Sequence, residues 1–123
     1  MTDLLTFDDA VAVLDEMHLV IDDPGLFAAG VGRPAATVFG QDAYPDLVTK
    51  VAALADSIVR NHALVDGNKR AGWAFAIVTL WLNSYELDYD EDQAFEMVMS
   101  VSDGGNRLLD IALWFRDHIQ PAH

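Results

Sequence analysis

With 123 residues, the chain is long enough for one domain with a single hydrophobic core and too short for two. Its composition is 52% hydrophobic, which excludes a disordered chain, and it has no cysteine, which excludes disulfides and thiolate metal sites. The net charge of −13 argues against broad binding to nucleic acid or to an anionic membrane, because both require a basic surface.

Targeting and membrane signals are not visible in the sequence. Met1 is followed by Asp3 without the basic and apolar regions of a signal peptide. The longest apolar run, residues 71–82, is shorter than the roughly 20 residues that span a bilayer. We therefore expect a cytoplasmic protein that makes no use of a membrane.

Two helices are predicted at the start of the chain. A capping box of Thr6 and Asp9 precedes apolar residues at helical spacing, which predicts a helix over residues 6–18. Pro24, placed after two aspartates, opens a short second helix that ends near residues 32–34. The residues of this helix expected to face the core are Leu26, Phe27 and Val31.

A small β-hairpin, or flap, and a third helix follow. Residues 35–45 carry β-type side chains on both sides of a turn that begins at Gly40. Asp46 is placed to cap a helix that runs to about residue 61, because apolar residues then recur at helical spacing. This helix leads the chain directly to His62.

The next helix, residues 69–83, is apolar on nearly every side. No residue from Ala71 to Tyr85 is charged. We therefore expect this helix at the centre of the fold, with the other helices packed around it and its Trp and Phe residues in the core.

Two more helices are predicted after an acidic connector at residues 85–90. Asp90 is expected to cap the first, and Gly104-Gly105 to end it. Asn106 is expected to cap the second, which stops before Pro121. The residues expected in the core are Phe95, Val98 and Met99 in the first helix and Leu109, Ala112, Leu113, Trp114, Phe115 and Ile119 in the second.

These elements predict one all-α domain over residues 1–123. It is a helical bundle of about six or seven helices around the apolar central helix, with the small hairpin flap. No internal repeat, low-complexity segment or linker divides the chain.

Residues 62–70, the motif segment, read His-Ala-Leu-Val-Asp-Gly-Asn-Lys-Arg and carry the candidate chemistry. Residues 66–68 are a strong turn signal, because Gly tolerates positive φ and the flanking Asp and Asn can bond to nearby backbone. Lys69 and Arg70 then fall at the positive dipole end of the central helix, where each cation is disfavoured by roughly 0.3–1 kcal/mol. A bound anion such as phosphate would compensate for this cost.

Other interpretations of these residues are weaker. Arg60, Lys69 and Arg70 are three of the seven basic residues, gathered within eleven positions, which suits a small phosphorylated ligand better than a polymer. A P-loop is excluded, since G-x-x-x-x-G-K-S/T does not occur. Arg33 and Arg60 could reach the site, although surface roles are the expectation. The remaining histidines, expected at the surface or at helix ends, are His18, His118 and His123.

The motif segment resembles the central motif of the Fic/Doc superfamily, written H-P-F-x-D/E-G-N-G/K-R. Its His, acidic residue, Gly, Asn and Arg occur at the family spacing, whereas Ala63 and Leu64 replace the usual Pro and Phe. Leu64 can still anchor the loop in apolar surroundings. The resemblance covers most of the chain, through residues 32–34, 39–40, 44–47 and 83–87.

In three details the chain resembles the Doc (death on curing) branch of the superfamily, whose members are the toxin half of an addiction pair. Lys69 stands where nucleotidyl-transferring Fic enzymes have Gly, and Trp73 stands where they usually have a second Arg that holds nucleotide phosphates. The chain also lacks the inhibitory Ser/Thr-x-x-x-Glu motif of self-regulated Fic proteins. The resemblance therefore implies inhibition by a separate, Phd-like antitoxin, whose helix we expect in an apolar groove near the flap.

The resemblance also implies a role for each residue of the motif segment. His62 would act as the general base. Asp66 would position Mg²⁺, a hard cation that prefers oxygen ligands, or otherwise the incoming nucleotide or the target. Gly67 and Asn68 would present N–H groups and an amide to phosphate oxygens. Lys69 and Arg70 would stabilise charge on the phosphates in the transition state.

For function, the resemblance implies a toxin that uses ATP and Mg²⁺ to phosphorylate a threonine of elongation factor Tu, which stops translation. Two alternatives stay open: AMP transfer, as in Fic enzymes of the Gly type, and a catalytically idle binding or co-repressor module that works with an antitoxin. Lys69 favours phosphoryl transfer over AMP transfer, because its side chain fills space that Gly leaves for nucleotide phosphates. An intact His62 argues against an idle module.

Overall fold

The computed structural model describes residues 2–104 and 107–122, and six α-helices make up most of this part of the chain. The prediction of an all-α domain of six or seven helices is confirmed. The helices are α1 (Phe7–Met17), α2 (Pro24–Gly32), α3 (Leu47–Asn61), α4 (Asn68–Leu82), α5 (Glu91–Ser102) and α6 (Leu108–His118).

Helices α1, α3 and α5 begin at the capping residues that the sequence predicts, and α2 begins at the predicted Pro24. Thr6 and Asp9 form a reciprocal capping box at the start of α1, with both hydrogen bonds at 3.0 Å. The carboxylates of Asp23, Asp46 and Asp90 cap α2, α3 and α5. Each cap gives a partner to N–H groups that the first turn of a helix leaves without one.

Three predicted features lie outside the described residues. They are the cap at Asn106, the helix stop at Gly105 and the surface position of His123. The described chain resumes at Arg107, which is the N-cap residue of α6.

Helix α3, rather than α4, has neighbours on most sides. It packs against α2, α4, α5 and α6, and more of its residues are buried than of α4. Helix α4 lies along α3 and also contacts α1 and α5, but Trp81 and Leu82 on its outer face are exposed. The prediction that α4 is enclosed on nearly every side is therefore wrong for this face.

Two hydrophobic clusters hold the helices together on opposite sides of α3. One joins α3 and α4 to α5 and α6, and the other joins them to α1 and α2. The two central helices approach closely at Gly72, where an added Cβ would lie 2.6 Å from Cγ2 of Val59.

Several large side chains predicted to face the core are exposed. The outer helices α2, α5 and α6 each cover only one side of the α3–α4 pair, so each of them buries a single stripe. Phe27, Met97, Ile111 and Phe115 fill these stripes. The apolar residues wrongly predicted in the core are Leu26, Trp81, Phe95, Leu109 and Leu113.

The predicted flap is a short antiparallel hairpin of β1 (Thr37–Val38) and β2 (Gln41–Asp42). Phe39 and Gly40 at its tip both have positive φ, which matches the twist of a tight hairpin turn. The acidic connector is not a plain loop, since β3 (Tyr85–Leu87) pairs antiparallel with β4 (Ile119–Pro121). Local sequence could not predict this pairing, because the partners lie more than 30 residues apart.

No helix among residues 2–104 and 107–122 has the length and apolar character needed to cross a membrane.

Candidate active site

The motif segment joins the end of α3 to the start of α4. His62 ends α3 in the left-handed conformation, with φ 52° and ψ 40°, and its side chain is exposed. Asp66, Lys69 and Arg70 are exposed as well, whereas Leu64 is buried. The charged and titratable side chains of the segment therefore face solvent, whereas its inner part, at Ala63 and Leu64, is buried.

Residues 63–65 of the motif segment are hydrogen-bonded to the chain between α1 and α2. The N–H of Val65 donates to the carbonyl of Val20 at 2.9 Å, beside a bridge between Leu64 and Ile21. The carbonyl of Ala63 accepts from the next two N–H groups, those of residues 22 and 23, at 2.8 and 2.9 Å. The expectation that Leu64 anchors the loop in apolar surroundings is confirmed.

Residues 66–68 form the predicted turn. Oδ1 of Asp66 accepts from the N–H of Gly67 at 2.8 Å, and Gly67 has φ 79°. The Asn68 amide bonds to Leu64, with Oδ1 accepting from its N–H at 3.0 Å and Nδ2 donating to its carbonyl at 3.3 Å. The Gly67 N–H and the Asn68 amide thus brace the turn here, and their contact with phosphate stays a prediction.

Helix α4 begins without a side-chain cap, because its N-cap residue is Gly67. The N–H groups of Asn68, Lys69 and Arg70 belong to its first turn, where the helix dipole is positive. Within the described part of the chain, neither Lys69 nor Arg70 forms an ion pair. This arrangement of two cations at a helix N-terminus, with no counterion among the described side chains, has the charge that favours an anionic ligand.

The predicted site residues come together around one cleft of about 440 Å³. Every residue of the motif segment lines it except Ala63 and Leu64, which are buried beneath. Val59 of α3 and Ser102 of α5 complete the wall. The sequence carries no signal for Ser102, since only the packing of α5 brings its end to the cleft.

A second, mainly apolar groove of about 420 Å³ lies beside the cleft, between α4 and α5. Lys69 and Arg70 line both cavities and so mark where they meet. Trp73, at the position of the family's second Arg, lines the groove and not the cleft, with its ring centroid 5.1 Å from that of Tyr89. Phe95, an exposed residue of α5, lines the same groove.

Arg33 and Arg60 are tied to one carboxylate and do not line the cleft. Nη1 of Arg33 lies 2.7 Å from Oδ2 of Asp56, and Nε of Arg60 lies 2.8 Å from its Oδ1. Arg33 also donates from Nε to the Tyr44 hydroxyl at 2.9 Å. Burial lowers the pKa of Arg33, but the hydrogen bonds with Asp56 and Tyr44 outweigh it and leave the pKa raised. The network joins the chain on both sides of the flap to α3.

Two comparisons with known proteins agree with this geometry. A model of the Fic/DOC family matches residues 8–80, which include the motif segment and its supports. The chain is also 51% identical over 87 residues to a protein named Toxin Doc from Mycolicibacterium smegmatis, and the aligned region covers 69% of this chain and 67% of that protein.

Proposed function

Because this chain belongs to the Fic/DOC family, we propose that it is a Doc-like toxin, an ATP-dependent transferase. It moves the γ-phosphoryl group of ATP to a Ser or Thr hydroxyl of a translation factor, elongation factor Tu, and thereby inhibits translation. The observation that carries the proposal is the placement of His62, Asp66, Lys69 and Arg70 around one cleft at the N-terminus of α4.

The reaction uses each of these side chains once. His62 accepts the proton of the attacking hydroxyl as general base. The hydroxyl oxygen bonds to the γ-phosphorus as the bond from phosphorus to the β–γ bridging oxygen breaks, and ADP leaves. Lys69, Arg70 and the N–H groups of the first turn of α4 stabilise the negative charge on the phosphates.

Asp66 is the residue proposed to hold Mg²⁺. Its Oδ1 is bonded to the Gly67 N–H, which leaves Oδ2 as the oxygen for a cation. No group of three or more His, Asp or Glu side chains suited to a metal occurs in the described ranges. Water and phosphate oxygens would therefore supply the other ligands, as is usual for Mg²⁺ with nucleotides. When bound, Mg²⁺ neutralises part of the phosphate charge.

Lys69 supports phosphoryl transfer over AMP transfer. Its side chain lies where the cleft meets the apolar groove. A nucleotide that entered from the groove would have to pass this side chain to place its α-phosphate beside His62. We therefore expect the terminal phosphate to be the one that reaches the base.

The test is which phosphate of ATP becomes attached to protein. Purified protein is incubated with Mg²⁺, bacterial lysate and ATP labelled at either the γ or the α position. Label from the γ position should appear on one protein of the size of elongation factor Tu, and His62→Ala should abolish it while the circular dichroism spectrum stays unchanged. Label from the α position would show AMP transfer and overturn the proposal.

A separate, Phd-like antitoxin is the partner that we propose for this site. Its helix would lie in the apolar groove between α4 and α5, where Lys69 and Arg70 can pair with an acidic residue of the helix. This differs from the position expected near the flap, because residues 37–42 do not line the groove. Trp73 and the exposed Phe95 would supply its apolar contacts.

Co-expression with the protein from the adjacent reading frame tests this partner. It should restore growth and co-purify, and Phe95→Asp should weaken the complex about 10-fold or more by placing a charge in the apolar groove. Leu109→Asp is the matched control, because Leu109 is equally exposed, at 68% against 67%, but lies on α6 away from the groove. Equal effects of the two substitutions, or no rescue of growth, would contradict the proposed partner.

A further inference from the structure

Leu19 lies at the end of α1, in a position fixed by the way this helix stops. His18 adopts the left-handed conformation, with φ 59°. The N–H groups of His18 and Leu19 then donate to the carbonyls of Asp15 and Leu14, at 3.2 and 3.0 Å. This paired arrangement closes the last turn of a helix and leaves the next residue little freedom.

The side chain of Leu19 fills the space beside Gly67. A Cβ placed on Gly67 would lie 2.6 Å from Cδ2 of Leu19, closer than real Cβ atoms approach other atoms, and 3.0 Å from its Cδ1. Nη2 of Arg70 lies 3.0 Å from the same point. Leu19 and Arg70 therefore pack against the same glycine, which is the last residue before the first turn of α4.

The residues that follow Leu19 form main-chain hydrogen bonds with the first part of the motif segment, residues 63–65. Val20 accepts a hydrogen bond from Val65, and residues 22 and 23 donate to Ala63. The start of the motif segment is therefore held by main-chain hydrogen bonds. The turn at Gly67 is braced by the Asp66 and Asn68 side chains and, from outside the segment, is contacted by Leu19.

We propose that Leu19 is a positioning residue for the cleft: its methyl groups set the position of Gly67, and through it the direction of the N–H groups and of Arg70 at the start of α4. Leu19 itself does not line the cleft. The catalytic part of this inference rests on the proposed function, whereas the packing part does not.

Hydrogen–deuterium exchange tests the packing part without any enzyme activity. Leu19→Ala should speed exchange in a peptide covering residues 62–70 by about 10-fold or more, because local opening of the turn becomes easier. Val13→Ala is the matched control, since Val13 packs against the same hydrophobic cluster as Leu19. If both variants speed exchange equally in all helices, Leu19 contributes only to the core and the proposal is wrong.

Steady-state kinetics test the catalytic part. Leu19→Ala should lower kcat by about 10- to 100-fold, the range expected when reacting groups are displaced by about 1 Å. Leu19→Met, which conserves volume, should recover most of the loss, and Val13→Ala should retain the parent kcat. A kcat for Leu19→Ala equal to that of Val13→Ala would overturn this part. If no transfer activity exists at all, the exchange measurement still decides the packing part.

A double-mutant cycle tests the contact itself. Gly67→Ala forces a methyl group against Leu19 at a position with φ 79°, and Leu19→Ala removes the atoms that it strikes. Gly67→Ala should therefore lower the urea midpoint less in the Leu19→Ala background than in the parent. Strictly additive shifts of the midpoint would show that the two residues do not constrain each other.

Discussion

The Asn68 side chain bonds both main-chain polar groups of Leu64, accepting from its N–H at 3.0 Å and donating to its carbonyl at 3.3 Å. A side chain in the first turn of α4 thus closes the loop that precedes it. The two bonds keep Leu64 buried while His62 and Asp66, on either side of it, stay exposed. Asn68 therefore holds in place the loop that carries His62 and Asp66 to the cleft.

Substitution of Asn68 should cost both stability and activity. Asn68→Ala removes two hydrogen bonds and should lower the free energy of unfolding by about 1–2 kcal/mol. Asn68→Asp keeps the acceptor but places a carboxylate against the Leu64 carbonyl, so we expect no recovery. Urea unfolding at constant m value measures the stability of both variants.

Asn83, at the other end of α4, provides the control for Asn68. Its amide bonds to both main-chain groups of Asp3 and to the carbonyl of Thr79, each at 2.8 Å. Asn83→Ala should lower stability by a similar amount and leave the proposed transfer activity intact. Equal loss of activity in the two variants would mean that the Asn68 effect is only a loss of folded protein.

Lys69 should favour function at the expense of stability. As a cation at the positive end of α4 without an ion-pair partner in the described ranges, it destabilises the helix. Lys69→Gln should raise the free energy of unfolding by about 0.3–1 kcal/mol. If the proposed phosphoryl transfer occurs, the substitution should lower it at least about 10-fold, because a cation that stabilises the phosphate charge is lost. The two effects are measured by urea unfolding and by γ-labelled ATP.

Arg116 provides a control for Lys69, because removing its charge should change the free energy of unfolding in the opposite direction. It lies in the last turn of α6, where a cation is favourable, and Nη2 is 3.7 Å from Oδ2 of Asp46. Arg116→Gln should therefore lower stability slightly without reducing activity. A Lys69→Gln variant that is less stable than the parent would show that the dipole argument does not describe this helix.

Local signals predicted the helices and the motif segment well. The caps at Thr6, Asp46 and Asp90, the start of α2 at Pro24 and the turn at residues 66–68 depend on neighbouring residues alone, so the sequence contains them. The features that the sequence did not predict depend on contacts between residues that are distant in sequence. The β3–β4 pair joins segments 34 residues apart at Glu86 and Gln120, and no local pattern marks such a pair.

The residues around the candidate site show the same division. The resemblance to the Fic/Doc motif pointed to His62, Asp66, Lys69 and Arg70, and all four line the cleft. The packing of Leu19 against Gly67 could not be predicted. An apolar residue after a helix indicates burial but not its contact. The exposure of Trp81 and Phe95 was missed because apolar composition indicates what a helix can bury and not how many neighbours are present to cover it.

Gly72 should be intolerant of even a methyl group. An added Cβ would lie 2.6 Å from Cγ2 of Val59 and 3.3 Å from the carbonyl oxygen of Ala55, and a backbone atom cannot move aside easily. Gly72→Ala should therefore lower the free energy of unfolding by about 1–3 kcal/mol. Gly32→Ala is the control, because its Cβ meets nothing within 4 Å, and it should be neutral or stabilising by up to about 1 kcal/mol. Equal stabilities would contradict close packing of α3 on α4.

Asp46 should make the start of α3 sensitive to acid. Its side chain accepts from the Thr49 hydroxyl at 2.7 Å and from the Thr49 N–H at 2.8 Å. Both bonds lower the pKa of Asp46, and the bond from the hydroxyl has the larger effect. Because the pKa is lower in the folded state than in the unfolded state, the carboxylate adds stability above its unfolded pKa of about 3.9. That stability is lost as the pH falls through the lower, folded pKa.

Asp46→Asn separates the cap of α3 from its charge. Asparagine is an equally good N-cap residue, so at neutral pH the variant should lose far less stability than Asp46→Ala, which should lose about 1 kcal/mol. In thermal unfolding from pH 7 to about pH 2, the difference between the parent and Asp46→Asn should shrink once the pH falls below the unfolded pKa of about 3.9. A difference that stays constant over this range would show that the lowered pKa of Asp46 does not contribute to the acid sensitivity of the fold.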